Sequence, residues 1–183
     1  MKVRRDGVQF YKILRQRKIN EDTFCNLLDI QNYDYITGNN KNSFAIKYNP
    51  DTYNQLLDNN TIFKEYTSRA IQQLFVTNQK FLAMLNLSDF FNMKMVSCLF
   101  VEDDKNMYLE EYEELCLESV EDIVSRHDFN IKEVTYRTNN TNRTIVLQKN
   151  GVIGFDNGLT DSEYQKLLKF IDTLNFGLKV IDI

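Results

Sequence analysis

The spacing of apolar and polar residues is clearest over residues 143–183, where it predicts a β-hairpin followed by a helix and a strand. Two short runs rich in apolar and β-branched residues, 144–149 and 152–155, flank the dipeptide Asn150-Gly151. An Asn-Gly pair readily takes the positive φ angles of a two-residue hairpin turn. We therefore expect these two runs to pair as antiparallel strands.

The helix after this hairpin carries its own start and stop signals. Thr160 stands three residues before Glu163, which is the spacing of a capping box. Apolar residues then recur every three or four positions, and this spacing predicts one buried stripe. Gly177 can end the helix, and residues 178–183 are expected to form a strand.

The N-terminal part of the chain predicts two short helices followed by a segment with two interpretations. Apolar residues at helical spacing predict a helix over residues 8–18, and Asn20 can cap a second helix. Residues 31–48 then form either a third helix at 31–37 or a hairpin. In the hairpin, two strands rich in aromatic and β-branched residues flank the turn-forming residues 38–42.

Further along, apolar spacing predicts a long amphipathic helix over residues 62–85 and an acidic helix over residues 107–126. At 1.5 Å per residue the first helix would span about 36 Å, so it either connects two modules or pairs with its own copy in a homodimer. Residues 94–101 are nearly continuous in apolar residues, which predicts a central strand, and residues 129–137 predict another.

Together these elements predict an α+β protein in three parts. Residues 1–58 would form a small basic N-terminal helical module, which gains a β-hairpin wing under the hairpin interpretation. Residues 59–87 would form the connecting or dimerisation helix. Residues 88–183 would form an α+β domain in which helices cover a mixed or antiparallel sheet, similar to a ferredoxin fold with an added strand.

Composition indicates a folded cytoplasmic protein. Of the 183 residues, 43% are hydrophobic and 13% aromatic, which is too apolar for a disordered regulator. No apolar run reaches the roughly 18 residues of a membrane span, so we expect no membrane association. Abundant Asn, Lys, Ile, Tyr and Phe, with one Pro and no Trp, fits an AT-rich phage or mobile-element genome.

Charge is concentrated in two stretches of opposite sign. Residues 1–18 carry seven Lys and Arg against one acidic residue, and residues 102–122 carry ten acidic residues against one lysine. Carboxylates gathered on one helix repel each other, and none of the contact residues named next has a basic residue at i+4, so we expect a basic partner to meet them. The expected contact residues are Asp103, Asp104, Glu110, Glu111, Glu113, Glu114, Glu118 and Glu121.

A second hypothesis rests on the stretch Ile19-Asn-Glu-Asp-Thr-Phe-Cys-Asn-Leu-Leu-Asp-Ile30. With residues 31–37 as a third helix, residues 8–41 resemble the helix-turn-helix of phage-type repressors. That resemblance implies a recognition helix that contacts bases, while basic residues contact phosphates. The residues that this DNA-binding hypothesis uses are Arg4, Arg5, Arg15, Arg17, Lys18, Gln31 and Asn32.

Three functions stay open at this point. The first is a non-enzymatic inhibitor whose acidic face docks on the basic surface of a nucleic-acid-handling protein. Such a protein is similar in kind to small phage-encoded inhibitors such as anti-CRISPR proteins, which makes a CRISPR effector a candidate partner. The second is a helix-turn-helix or winged DNA-binding regulator, and the third is a metal-dependent nuclease around Asp89, Asp103 and Lys105.

The chain offers little other chemistry. His127 is the single histidine, and a position near a helix C-terminus suits the helix dipole. Cys25, Cys98 and Cys116 are odd in number and widely separated, so we expect buried thiols and no metal site. The six glycines lack the spacing of a phosphate-binding loop, so we expect no cofactor and no catalytic residues.

Overall fold

A computed structural model describes residues 7–18, 24–102, 108–113, 116–127 and 129–177. The chain divides into two compact units, each built from helices and strands. The first unit comprises Met1–Val8 and Phe75–Lys166, and the second unit comprises Gln9–Leu74 and Leu167–Ile183. In the part of the chain so described, no helix is both long and apolar enough to cross a membrane.

The second unit contains the first seven elements of the chain. These are β1 (Val8–Gln16), α1 (Phe24–Ile30), β2 (Tyr35–Thr37), β3 (Ser43–Lys47), α2 (Pro50–Asp58), α3 (Asn60–Ser68) and β4 (Ile71–Gln73). β3 pairs antiparallel with both β1 and β2, and β4 pairs with the end of β1. Apolar side chains from these strands and from α1, α2 and α3 form one buried core cluster.

The predicted N-terminal helical module is wrong, because residues 8–16 form strand β1 and not a helix. Leu14 lies opposite Phe44 in β3, and both are buried. Ile13, which points to the other face, is also fully buried, and so is Lys12 at 5% exposure. A strand buried on both faces shows no alternation, which is why its apolar spacing matched a helix. The hairpin interpretation of residues 31–48 is confirmed by β2 and β3.

The predicted long helix over residues 62–85 is also wrong. α3 stops before Ala70, which takes a positive φ of 50°, and β4 follows. A separate helix, α4 (Asn78–Asn86), begins after Thr77, whose side chain accepts a hydrogen bond from the Lys80 N–H at 3.3 Å. Thr77 is therefore an N-cap inside the apparent helix. The break removes the basis for a dimerisation helix.

The first unit contains the remaining elements. They are α4, β5 (Met93–Glu102), β6 (Tyr108–Glu113), α5 (Leu117–His127), β7 (Phe129–Thr138), β8 (Thr144–Gln148), β9 (Val152–Asp156) and the start of α6 (Asp161–Phe176). Its strands form an antiparallel sheet in the order β9-β8-β7-β5-β6. β7, β8 and β9 follow one another as a meander, as predicted. β5 pairs antiparallel with both β6 and β7, so the described residues lack the split βαβ unit of a ferredoxin fold, and that expectation is wrong.

The predicted acidic helix over residues 107–126 is two elements. Its first part is strand β6, in which Tyr112 lies opposite Cys98 of β5. Only its second part is helical, as α5, with Val120 fully buried. The apolar residues kept a helical spacing across both elements, so periodicity alone could not show the change from strand to helix.

The C-terminal predictions are confirmed as far as the structure describes them. β8 and β9 pair as a hairpin, and Gly151 takes a positive φ of 75° in its turn. The capping box is formed: the Thr160 N–H donates to Glu163 Oε2 at 3.0 Å, and the Glu163 N–H donates to Thr160 Oγ1 at 3.3 Å. Gly177, with φ of 79°, follows the last helical residue. The strand predicted for residues 178–183 lies outside the described residues.

Glu163 also accepts a hydrogen bond from the loop between β7 and β8. The Thr141 hydroxyl donates to Glu163 Oε1 at 2.7 Å, and Glu163 is 3% exposed. Burial raises the pKa of Glu163, but hydrogen bonds from Thr141, Thr160 and Thr138 outweigh burial and lower it to about 2. The carboxylate is therefore ionised and bonded at neutral pH.

We expect Glu163→Ala to lower the free energy of unfolding at neutral pH by about 2–4 kcal/mol, because each hydrogen bond to a charged group contributes about 1.5–3 kcal/mol. The folded pKa of about 2 lies below the ordinary value of 4.5, so the wild-type advantage is complete above that value. It should shrink as the pH falls toward the folded pKa. Urea unfolding at neutral pH and near pH 3 measures both effects, and an equal difference at both pH values would contradict this account.

Candidate functional site

The predicted acidic contact residues do not share one helix. Three lie in β6, two lie on α5 and three fall outside the described residues. In that order they are Glu110, Glu111 and Glu113; Glu118 and Glu121; and Asp103, Asp104 and Glu114. β6 is the last described strand on its side of the first unit's sheet. The acidic segment, defined here as residues 110–121, therefore runs from this strand into α5.

The start of α5 holds its first carboxylate in the ionised form. Hydrogen bonds from the backbone of Glu118 and from the Cys116 side chain lower the pKa of Glu118. A carboxylate in the first turn also suits the positive end of the helix dipole. Cys116 is exposed, against expectation, whereas Cys25 and Cys98 are buried as predicted.

Glu118 and Glu121 both face solvent on α5. Val120 between them is fully buried, so the helix turns one side inward and this pair outward. Among the side chains that the structure describes, neither carboxylate has an ion-pair partner. The helix therefore presents two exposed carboxylates that no described side chain neutralises.

Arg15, one of the predicted phosphate contacts, holds the end of α6 instead. Its Nη1 donates to the Asn175 carbonyl oxygen at 3.1 Å, and its Cζ lies 4.5 Å from the centre of the Phe176 ring. Carbonyls in the last turn of a helix lack intrahelical partners, and a cation there also favours the helix dipole. Arg15 thus serves the fold of the second unit.

The predicted recognition helix is wrong, because Gln31 and Asn32 end helix α1. Asn32 has a positive φ of 56°, and its N–H donates to the Asp29 carbonyl at 3.1 Å. The Tyr33 N–H donates to the Leu28 carbonyl at 3.0 Å. These two bonds form a Schellman C-cap, and strand β2 follows directly.

Arg17 and Lys18 are the predicted basic residues that remain outward. They follow the last residue of β1 and are exposed, while Arg4 and Arg5 lie outside the described residues. Sequence reasoning missed Lys41, an exposed residue of the loop between β2 and β3. Lys41 could have been found only from the pairing of β1 with β3, because the loop that carries Lys41 leads directly into β3. That pairing could not be predicted while residues 8–18 were interpreted as a helix.

Of the three residues of the nuclease hypothesis, only Asp89 lies in the part of the chain that the structure describes. Asp103 and Lys105 lie outside the described residues, and Asp89 lines a cavity of about 170 Å³ together with Lys94. Within the described ranges, no three His, Cys, Asp or Glu side chains are grouped as a metal site would require. His127 is the last residue of α5.

Comparison with protein-family models, with curated proteins and with solved structures finds no match to this chain.

Arg15 and Arg17 form a matched pair that tests the role of Arg15. We expect Arg15→Gln to lower the free energy of unfolding by about 1–3 kcal/mol, because it leaves a helix end without its charged donor. Arg17→Gln should stay within about 0.5 kcal/mol of wild type, as exposed substitutions usually do. Thermal and urea unfolding measure both variants. Equal stability of the two would show that the contact of Arg15 with α6 is not needed.

Proposed function

We propose that the protein is a non-enzymatic regulator that binds and inhibits a nucleic-acid-handling protein through the acidic segment. The partner is a basic protein such as a CRISPR effector, and the regulator is of the anti-CRISPR kind, encoded by a phage or mobile element. The observation that carries this proposal is the pair Glu118 and Glu121, which are exposed on α5 and without an ion-pair partner in the described chain.

The physical argument is electrostatic. Like charges on one segment destabilise it, and only part of that cost is removed by salt. Lys and Arg that line a nucleic-acid groove normally bind phosphates, and carboxylates form charge-assisted hydrogen bonds with the same side chains. An acidic segment can therefore occupy such a groove and exclude nucleic acid. Complementary charge would also speed the encounter of the two proteins.

Affinity purification from the native cell tests this proposal with the double variant Glu118→Gln and Glu121→Lys. Glutamine is chosen at position 118 because lysine in the first turn would oppose the helix dipole. We expect the variant to lose a partner that itself binds nucleic acid, and we expect the purified wild-type protein to displace nucleic acid from that partner. The interaction should weaken as salt is raised.

The matched control is the double variant Asp58→Asn and Asp89→Lys, which makes the same change in charge. Asp58 ends α2 and Asp89 follows α4, and both are exposed. The control should retain the partner at wild-type strength. If both double variants recover the partner equally, or if the captured protein keeps its nucleic acid in the presence of the regulator, the proposal is wrong.

A further inference from the structure

The end of β1 lies beside the loop that joins β2 to β3, and these two neighbouring segments carry three cations. The register of β1 and β3 sets Arg15 opposite Ser43, and the Gln16 N–H donates to the Asn42 carbonyl at 2.9 Å. The next residues outward are therefore Arg17 on one side and Lys41 on the other. Both are exposed, and so is Lys18. We call Arg17, Lys18 and Lys41 the basic end of the second unit.

The loop that carries Lys41 is ordered by its own hydrogen bonds. The Asn42 N–H donates to Asn40 Oδ1 at 3.0 Å, and the Ser43 N–H donates to the Asn40 carbonyl at 2.8 Å. The Asn40 N–H also donates to Oδ2 of Asp172 at 3.1 Å, and Asp172 is fully buried on α6. Lys41 is thus attached to a loop that is already in place, which lowers the entropy lost when a ligand binds.

Gly38 allows the carboxylate of Asp172 to reach this loop. A Cβ atom at position 38 would overlap Oδ1 of Asp172. The Gly38 N–H donates to the Ser43 carbonyl at 2.8 Å and closes the hairpin. The buried Asp172 side chain therefore fixes the conformation of the loop. Asn39 and Lys41 of the same loop are exposed to solvent.

The three cations are not compensated within the described part of the chain. The side chains of Arg17, Lys18 and Lys41 make no hydrogen bond or ion pair there. The Lys18 N–H donates to the Arg69 carbonyl at 3.2 Å, and the Arg69 side chain pairs with Glu65 at 2.9 Å. Like charges on neighbouring segments repel each other, and an anion bound between them removes the repulsion.

We infer that the basic end binds the phosphate backbone of a nucleic acid. Arg, Lys and Asn side chains are the groups that contact phosphate and sugar oxygens, and here exposed residues of these types lie on an ordered loop and on the strand end beside it. An anionic membrane surface would attract these cations by only about 1 kcal/mol each, and Arg17, Lys18, Asn39 and Lys41 supply no apolar residue that could enter the lipid. This site lies in the second unit and does not depend on the acidic segment.

Fluorescence anisotropy of the full chain with labelled 20-nucleotide single-stranded DNA and the corresponding duplex tests this inference. Wild type should bind at least one of these probes at low salt, and the affinity should fall as salt rises. Lys41→Glu should weaken binding about tenfold and reduce the salt slope by about one, as the loss of one phosphate contact does. The matched control is Lys94→Glu, which reverses an exposed lysine of the first unit and should bind as wild type does.

Two results would overturn the inference. One is the absence of salt-dependent binding of either probe by the wild-type protein. The other is an equal loss of binding in Lys41→Glu and Lys94→Glu, which would show only a general effect of net charge. The Glu118→Gln, Glu121→Lys variant should keep its binding to DNA, so failure of the acidic-segment proposal and failure of this inference are distinguishable.

Discussion

The fold of the second unit buries polar groups at the end of α6, and its stability depends on the hydrogen bonds that these groups make. The Asn175 side chain donates to Ser43 Oγ at 2.6 Å and to the Leu14 carbonyl at 3.3 Å, while Arg15 bonds to the carbonyl of Asn175 itself. One turn earlier, Asp172 accepts from the loop between β2 and β3. A buried polar group without a partner is costly, so these bonds fix both the helix and the loop.

This constraint separates two kinds of charge. Arg15, Asp172 and Glu163 are used by the fold, because each lies against backbone groups that need a partner. Glu121 and the basic end are not used in this way in the described chain, and they remain exposed. Glu118 is also exposed, and it accepts hydrogen bonds at the start of α5 from its own backbone and from Cys116. The first kind explains stability. The second kind supports the proposed contacts, one acidic in the first unit and one basic in the second.

The sequence predicted those elements whose signals are local. The hairpin of β8 and β9 and the start of α6 were predicted correctly, because a turn dipeptide and a capping box act within a few residues. β1 and β6 were not, because their apolar residues have helical spacing and only pairing with other strands makes them extended. The errors at the candidate site have the same cause. Arg15 was predicted to contact phosphate and Lys41 was missed, because the position of each residue depends on β1 being a strand.

The central claim is that the outward carboxylates of α5 form a contact surface. It is tested most directly by photo-crosslinking in the native cell, with a photoreactive amino acid in place of Ser125, an exposed residue one turn after Glu121, and in a parallel protein in place of exposed Gln55 on α2. Our account predicts a covalent adduct with a nucleic-acid-binding protein from position 125 and none from position 55. Absence of an adduct at position 125, or the same adducts from both positions, would contradict it.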